Sequence, residues 1–308
     1  MILSLFLVPI LVVSTPTPFE GTGNTTPVSP PLDSDIQETL DTVDSITRAL
    51  TPEKISAANQ RFAQSEAFNQ LTPIEDLHAS PSLANPELWV TMQQIRVDFK
   101  GIYRGLFTGA TDPIINGWIQ AVDKAKSKLP LAYKHKYSLT EEDFAALSLW
   151  TSDSQMVDRV NLPLALKKLP KFDGFAIRYT NLQSGSRLAA LDHSFNTGEP
   201  ILLDSLIFNR RSEVIPPLNG PDTLVDGKHQ SAKVMAASVV GYSSLAIGVS
   251  GRLVIKSKSA ALIAPLSNYP AEAEVTWFGG NVAFNVLGNG TIKDPFGRKQ
   301  KVYFLEEI

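Results

Sequence analysis

The spacing of apolar residues changes at residue 130, and this change constrains the fold more than any other feature of the sequence. Between residues 34 and 130, apolar residues recur every three or four positions, as on one face of an amphipathic helix. Later, short apolar runs are separated by Gly, Pro, Ser and Asn, which is typical of strands. These runs are RLVIK at 252–256, ALIAPL at 261–266, AEVTWF at 273–278, NVAFNVLG at 281–288 and KVYFLE at 301–306. The sequence therefore predicts an α+β chain with a helical N-terminal lobe over 34–130 and a mixed domain over 131–308.

The first 33 residues have a different composition from either part. They open with MILSLFLVPILVV, an uncharged run of thirteen residues, and continue into a Thr/Pro-rich segment that we interpret as a flexible linker. Thirteen residues are too few to span a bilayer, so we expect no stable membrane span here. The length fits the apolar core of a signal peptide, but the first basic residue is Arg48. A targeting segment, a core-packing tail and a fragment boundary therefore all stay open.

Composition removes several chemistries. The chain has no cysteine, which excludes disulfides, thiol nucleophiles and thiolate metal sites. It has four histidines, and none are spaced as in an HExxH zinc helix. The formal net charge of −3 gives no polybasic footprint, so we expect no nucleic-acid partner. The side-chain groups left for catalysis or binding are carboxylates, hydroxyls, arginines and aromatic rings. No bound metal is expected.

Two glutamates separated by one residue, Glu272 and Glu274, lie in the segment SNYPAEAEVTWF at 267–278. In a strand, residues i and i+2 point to the same face, so both carboxylates would project into one site. If Glu272 instead lies on the loop before the strand, it is free to face a second substrate. Two such carboxylates can divide the work, one stabilising a cation while the other accepts a proton. The same doublet occurs on ordinary solvent-exposed strands, so the surrounding sequence is needed to distinguish a functional site from such a strand.

The surrounding sequence resembles the mono-ADP-ribosyltransferase toxin superfamily, in the class named for its Arg, Ser-Thr-Ser and Glu-x-Glu motifs. The order of strand, turn, paired glutamates and flanking strands runs through LVIKSKSAALIAPLSNYPAEAEVTWFGGNVAFNV at 253–286. Tyr269 stands three residues before Glu272, where the family often has an aromatic residue that touches the protein substrate. The helical segment YSLTEEDFAALSLWTSDSQMVDRVN at 137–161 is similar to the start of the family domain. Trp150 and Asn161 fall at its aromatic and asparagine positions.

The resemblance covers 137–308 and implies a fold of two packed, mainly antiparallel sheets with flanking helices. It places the family's NAD-binding arginine on the strand FDGFAIRYTN, at Arg178. The planar fork of a guanidinium suits the NAD pyrophosphate because it pairs bidentately with phosphate oxygens. The alternatives are an ordinary exposed strand arginine, or Arg104 in GIYRG, which precedes the family-like helix and so disagrees with the order of the motifs.

The Ser-Thr-Ser motif is where the sequence departs from the family. Its expected place is occupied by Ala236-Ala237-Ser238, so only Ser238 keeps a hydroxyl. In the family these hydroxyls orient the catalytic glutamate. A second placement near Ser212 leaves a longer gap to Glu274. Tyr242 is a candidate to stack on the nicotinamide ring, and a core tyrosine is the equal alternative.

The resemblance implies that NAD is the ADP-ribose donor, that Arg178, Ser238, Tyr242 and Asn161 bind it, and that Glu274 stabilises the reacting ribose. Glu272 then orients or deprotonates the acceptor. In the family, glutamate at this position accompanies arginine acceptors, so the implied partner is an arginine of a target protein. The implied setting is a secreted toxin, an effector delivered into a host cell, or a bacteriophage-borne or virion-associated enzyme. The alternatives are a catalytically degenerate binding or structural module and an NAD glycohydrolase.

Overall fold

The computed structural model describes most of the chain after residue 31. The described residues are 32–49, 53–54, 57, 61, 64–69, 71–83, 85–97, 106–107, 113–152, 158, 160–180, 182, 185–206, 234–238, 250–269, 273–279 and 281–308. Residues 33–308 group into one compact unit. Nearly all of the apolar leader lies outside the described residues, as do Glu272, Tyr242 and the alternatives Arg104 and Ser212.

Helices and strands alternate along the described chain, which confirms the predicted α+β class. The helices are α1 (Ser34–Ala49), α2 (Glu66–Asn69), α3 (Pro86–Gln94), α4 (Pro113–Ala125), α5 (Leu129–Lys136), α6 (Glu141–Ser152), α7 (Asn161–Lys168), α8 (Ser186–Thr197) and α9 (Leu203–Leu206), with a 3-10 turn at Ala264–Leu266. The strands are β1 (Thr72–Pro73), β2 (Glu75–Ala79), β3 (Arg96–Val97), β4 (Leu106–Phe107), β5 (Lys171–Thr180), β6 (Ile201–Leu202), β7 (Val234–Ser238), β8 (Gly251–Leu262), β9 (Glu274–Phe278), β10 (Ala283–Lys293) and β11 (Lys299–Glu307).

The main sheet joins eight of the described strands in the order β2-β10-β11-β8-β5-β7-β9, with β6 paired to β10. Within it, β8 and β11 run parallel, and the remaining described pairs are antiparallel. Strand β8 pairs with β11 along 251–256 and with β9 at 261–262, while β9 leads back through β7 to β5. The pairings β8–β9–β7–β5 therefore close on themselves, and this closed part of the sheet carries the candidate site.

Strand β8 is buried on both of its faces. Leu253 and Ile255 belong to the larger hydrophobic core, whereas Val254 between them belongs to a second, smaller core. Alternate side chains of a strand point to opposite faces, so a strand covered on both sides reads as a continuous apolar run. This explains why the run at 252–256 was recognisable in the sequence.

The N-terminal part is largely helical, as predicted, and contributes to both cores. Leu40 of α1 and Trp118 of α4 enter the larger core, and Met92 of α3 enters the smaller one. This part also supplies β2, which pairs with β10 at the edge of the main sheet and was not predicted. No described helix is long and apolar enough to cross a membrane.

Helix α6 is fixed at both its start and its side. The Thr140 backbone N–H donates to the Asp143 carboxylate at 2.9 Å, and the Asp143 N–H donates to the Thr140 hydroxyl at 3.2 Å. Thr140 and Asp143 therefore form the reciprocal cap of this helix. Asp143 is favoured because its buried carboxylate also pairs with Lys168 of α7, a partner that the sequence does not reveal.

Candidate active site

Three neighbouring strands bring together the residues that the motifs single out. Ser238 of β7 lies opposite Ile177 of β5 on one side and opposite Glu274 of β9 on the other. Arg178 follows Ile177 directly, and its Nη1 donates to the backbone oxygen of Ala236 at 2.7 Å. The predicted arginine strand, the Ala236-Ala237-Ser238 segment and the second glutamate are thus adjacent in the sheet, although 96 residues separate Arg178 from Glu274.

Glu274 is the first residue of β9, and its carboxylate is held from the side of α6. The Trp150 indole N–H lies 3.1 Å from Glu274 Oε1 and 3.2 Å from Thr276 Oγ1. The Thr276 hydroxyl donates to the same carboxylate oxygen at 3.3 Å. Trp150 is only 6% exposed, so a buried and rigid side chain directs its N–H at the carboxylate. The contacts restrict the rotamers of Glu274 and hold its carboxylate in one orientation.

Arg178 is partly buried beside this carboxylate. Its Nε is completely buried and has no hydrogen-bond partner among the described residues. Burial lowers the pKa of Arg178 below its usual value, and the negative charge of Glu274 opposes that shift. A buried donor without an acceptor costs about 1–3 kcal/mol, so a ligand oxygen that reached this nitrogen would recover free energy.

A second arginine adds positive charge next to the first. Arg187, on the first turn of α8, is 7% exposed and donates through Nη1 to the hydroxyl of Thr180. Burial, followed by the charge of Arg178, lowers the pKa of Arg187 to about 10. Arginine stays protonated at neutral pH with such a pKa, so two cations lie near the end of β5. Anions are favoured at such a place.

The turn that leads into β9 is held close to α6 and leaves one aromatic ring in solvent. Asn268 Nδ2 approaches Thr151 Oγ1 of α6 at 3.4 Å, while the Tyr269 side chain is 59% exposed. Ala273, the residue before Glu274, has φ of 46°, a left-handed conformation that costs an alanine about 1–2 kcal/mol. The backbone is therefore strained immediately before the candidate catalytic glutamate, as is common at functional sites.

The remaining predicted residues lie as follows. Asn161 begins α7, and both its side-chain amide and its backbone N–H donate to the Asp158 carboxylate at 2.9 Å, so the amide has a local partner. Ser238 is described through its backbone register alone, opposite Glu274. Glu272 and Tyr242 lie outside the described residues. Their roles, and that of Asn161 in binding a donor, stay predictions.

Three residues of the site were missed from the sequence. Thr276 follows Glu274 by two positions, and the same-face rule that was applied to Glu272 and Glu274 would have found it. Arg187 directly follows a Gly-Ser pair at a helix start, which is too common a pattern to mark a site. Thr180 ends the arginine strand, and its contact with Arg187 depends on how α8 packs.

The assembled site combines one oriented carboxylate with two largely buried arginines. The arginines suit an anionic group, and the carboxylate suits a group that becomes positively charged. Among the described residues, no cluster of three or more His, Asp or Glu side chains is arranged to hold a metal ion.

No family model matches the chain, and no curated protein matches it. Among solved structures, the ADP-ribosyltransferase toxin Plx2a from Paenibacillus larvae is 15% identical, with a TM-score of 0.40, and the match covers 62% of this chain and 96% of that one. The ADP-ribosyltransferase HopU1 of Pseudomonas syringae pv. tomato is 14% identical, with a TM-score of 0.38, over 62% of this chain and 87% of that one. The type III effector XopAI from Xanthomonas axonopodis pv. citri is also 14% identical, with a TM-score of 0.38, over 88% of this chain and 99% of that one.

Proposed function

We propose that this chain is an NAD-dependent mono-ADP-ribosyltransferase that transfers ADP-ribose to an arginine of a target protein. One observation carries the proposal: Arg178, the segment ending in Ser238, and Glu274 occupy three adjacent strands, in the chain order of the family motif. The setting implied by the resemblance is a toxin or effector delivered into a host cell.

The arginines support binding of a diphosphate-containing donor. The buried Nε of Arg178 has no acceptor among the described residues, and Arg187 brings a second positive charge close by. A phosphate oxygen supplies the negative charge and the acceptor that such a pair favours. These residues therefore fit the phosphates of NAD, while Asn161, Ser238 and Tyr242 are proposed to complete the donor site.

Glu274 supports the cleavage of the donor. The reaction breaks the bond between ribose C1 and the nicotinamide nitrogen, and the bonding electrons leave with nicotinamide. The ribose then develops positive charge, as in glycoside hydrolysis. A carboxylate oriented by two donors stabilises this charge, which lowers the barrier. Trp150 and Thr276 are the donors that do so here.

The acceptor side of the proposal rests on Glu272 and Tyr269. A nitrogen of the target guanidinium forms the new bond to ribose C1, and Glu272 takes the proton that this nitrogen loses. Tyr269 is exposed on the turn before β9, where its ring is available for contact with a protein. Aromatic residues contribute much of the binding energy at such contacts.

The test uses purified full-length chain, labelled NAD, a host-cell lysate and free nicotinamide detection. We expect Glu274→Ala to lower nicotinamide release at least about 100-fold, because the charge on ribose loses its stabilising partner. Glu272→Ala should abolish labelling of protein but spare nicotinamide release. Glu306→Gln, a partly exposed change on β11, serves as the matched control with wild-type rates. Labelled protein should lose its ADP-ribose with the hydroxylamine sensitivity of an arginine adduct.

Wild-type chain that neither labels protein nor releases nicotinamide would contradict the enzymatic proposal. Release without protein labelling would favour an NAD glycohydrolase, in which water is the acceptor. The alanines at 236 and 237 favour one further candidate, a degenerate module that binds without catalysis. That candidate predicts NAD or protein binding by calorimetry with no turnover, and no effect of Glu274→Ala on the chain's biological activity.

A further inference from the structure

The carboxylate of Glu274 receives its hydrogen bonds from a helix and from its own strand. The indole N–H of Trp150 and the hydroxyl of Thr276 both reach Oε1, at 3.1 and 3.3 Å. Trp150 is 124 residues away in the chain and approaches from the last turn of α6. The contact therefore depends on tertiary packing and cannot be read from a local motif.

The position from which the family motif would supply a hydroxyl carries a methyl group. Ala236 lies directly opposite Thr276 in the β7–β9 ladder, and Ser238 lies opposite Glu274. In an antiparallel pair, a residue one pair away on the same face is a diagonal neighbour about 7 Å distant, within reach of a long side chain. Position 236 is thus a diagonal neighbour of Glu274, but alanine has no donor to offer it.

We propose that Trp150 and Thr276 are positioning residues that orient Glu274 in place of the hydroxyl missing at position 236. The proposal rests on the proposed function, because it assigns these donors to the catalytic carboxylate. An indole N–H is a donor only, so it always presents hydrogen to the carboxylate, whereas a serine hydroxyl can rotate to other acceptors. A single rigid tryptophan can therefore do the work of a hydroxyl from the neighbouring strand.

The surroundings of Trp150 make it suitable for this task. Helix α6 is capped by Thr140 and Asp143, and Asp143 pairs with Lys168 of α7. Asn268, on the turn before β9, contacts Thr151, the residue after Trp150. The indole is thus held by one end of a helix that is itself fixed to its neighbours, which is the support that an oriented catalytic group needs.

The first test separates orientation from general packing by steady-state kinetics of nicotinamide release. We expect Trp150→Phe to lower kcat about 10- to 100-fold, the equivalent of one charge-assisted hydrogen bond, with KM for NAD within about two-fold. Thr276→Val should lower kcat and Thr276→Ser should not. Trp118→Phe, which changes a tryptophan buried in the same core, is the matched control and should keep the wild-type kcat.

Rescue is the sharper measurement. Adding Ala236→Ser to the Trp150→Phe variant restores a donor next to Glu274, so we expect kcat to recover at least about three-fold over Trp150→Phe alone. A merely structural role for Trp150 predicts no recovery, because a hydroxyl on β7 does not fill the space of an indole. A Trp150→Phe variant with wild-type kcat, or a double variant no faster than the single one, overturns the proposal.

A second readout needs no turnover. The chain has four tryptophans, and Trp277 donates to Glu307, so its indole resonance is an internal reference. In a spectrum of ¹⁵N-labelled indoles, Glu274→Ala should shift the Trp150 proton upfield and leave that of Trp277 in place. An unmoved Trp150 resonance overturns the inference. An inactive wild type with a shifted Trp150 resonance overturns the proposed function alone, because the hydrogen bond to Glu274 is then present without catalysis.

Discussion

The buried carboxylate of Glu307 ties together three strands of the main sheet, and its removal should destabilise the chain strongly. Glu307 is 4% exposed and lies at the end of β11. It accepts hydrogen bonds from the backbone N–H groups of Lys258 at 2.6 Å and Ser259 at 2.9 Å, and from the Trp277 indole at 2.9 Å. The hydroxyls of Ser257 and Ser259 donate to it as well. Because Trp277 belongs to β9, this network also fixes the strand that begins with the candidate catalytic glutamate.

The cost of Glu307→Ala follows from the donors that it leaves behind. The Trp277 N–H is buried and cannot reach water, so leaving it without an acceptor should cost about 1–3 kcal/mol of stability. The hydrogen bonds from the Lys258 and Ser259 backbone N–H groups are only partly buried, so losing them costs less. We therefore expect the free energy of unfolding to fall by about 3 kcal/mol, within the range for breaking a buried charged network. Glu307→Gln keeps one acceptor oxygen and should cost about half as much.

Urea titrations followed by tryptophan fluorescence and circular dichroism measure this difference, with the slope m held in common. Glu306→Ala, on the adjacent and partly exposed residue of β11, is the matched control and should stay within about 0.5 kcal/mol of wild type. A Glu307→Ala chain less than about 1 kcal/mol below wild type would refute the reasoning, because the buried indole must then have found another acceptor.

Three further predictions concern pH, the helix cap and the donor site. Burial alone would raise the pKa of Glu307, but the donors from Lys258, Ser259 and Trp277 outweigh it and hold the pKa below its usual value. The ionised form thus stabilises the fold above about pH 4.5. The difference in free energy of unfolding between wild type and Glu307→Gln should therefore shrink as the pH falls below that value. A difference that grows on acidification would contradict this. Asp143→Asn should lower the free energy of unfolding by about 1–3 kcal/mol in a urea titration, because α6 loses part of its cap and its ion pair with Lys168. An unchanged midpoint would show that the Asp143 carboxylate does not stabilise α6. Arg178→Lys should weaken NAD binding at least about ten-fold by calorimetry, because an ammonium cannot pair bidentately with phosphate, whereas equal affinity would argue for a single point charge.

The strands of the second half could be predicted because their apolar runs are bounded by residues that end strands. The runs at 273–278, 281–288 and 301–306 correspond to β9, β10 and β11. The run at 261–266 does not form a strand of its own. Its first two residues extend β8 and the rest form a 3-10 turn, because Pro265 has no N–H to donate to a ladder.

The strand β2 and the contact between Trp150 and Glu274 could not be predicted, and for the same physical reason. Strand β2 is short and largely polar, and it is defined by pairing with β10, where Ala79 lies opposite Gly288. Both features depend on partners more than 100 residues away, so neither leaves a periodic pattern in the local sequence. The family-like motif predicted the adjacency of Arg178 and Glu274, but it did not contain the donor that orients the glutamate.

Catalysis does not require that the hydroxyl missing at position 236 be replaced at that same position. What a catalytic carboxylate requires is a fixed donor in a region of low dielectric constant, and the place of that donor in the chain is immaterial. Trp150 is buried and bonded to Glu274, and a tryptophan loses little rotamer freedom when it is held in a packed core. By the Ser-Thr-Ser motif alone, Ala236-Ala237-Ser238 would be classed as degenerate. The Glu274 carboxylate nevertheless receives hydrogen bonds from Trp150 and Thr276. Loss of orientation requires loss of those donors, so Trp150→Phe, rather than the alanines already present, is the change that should produce the degenerate state.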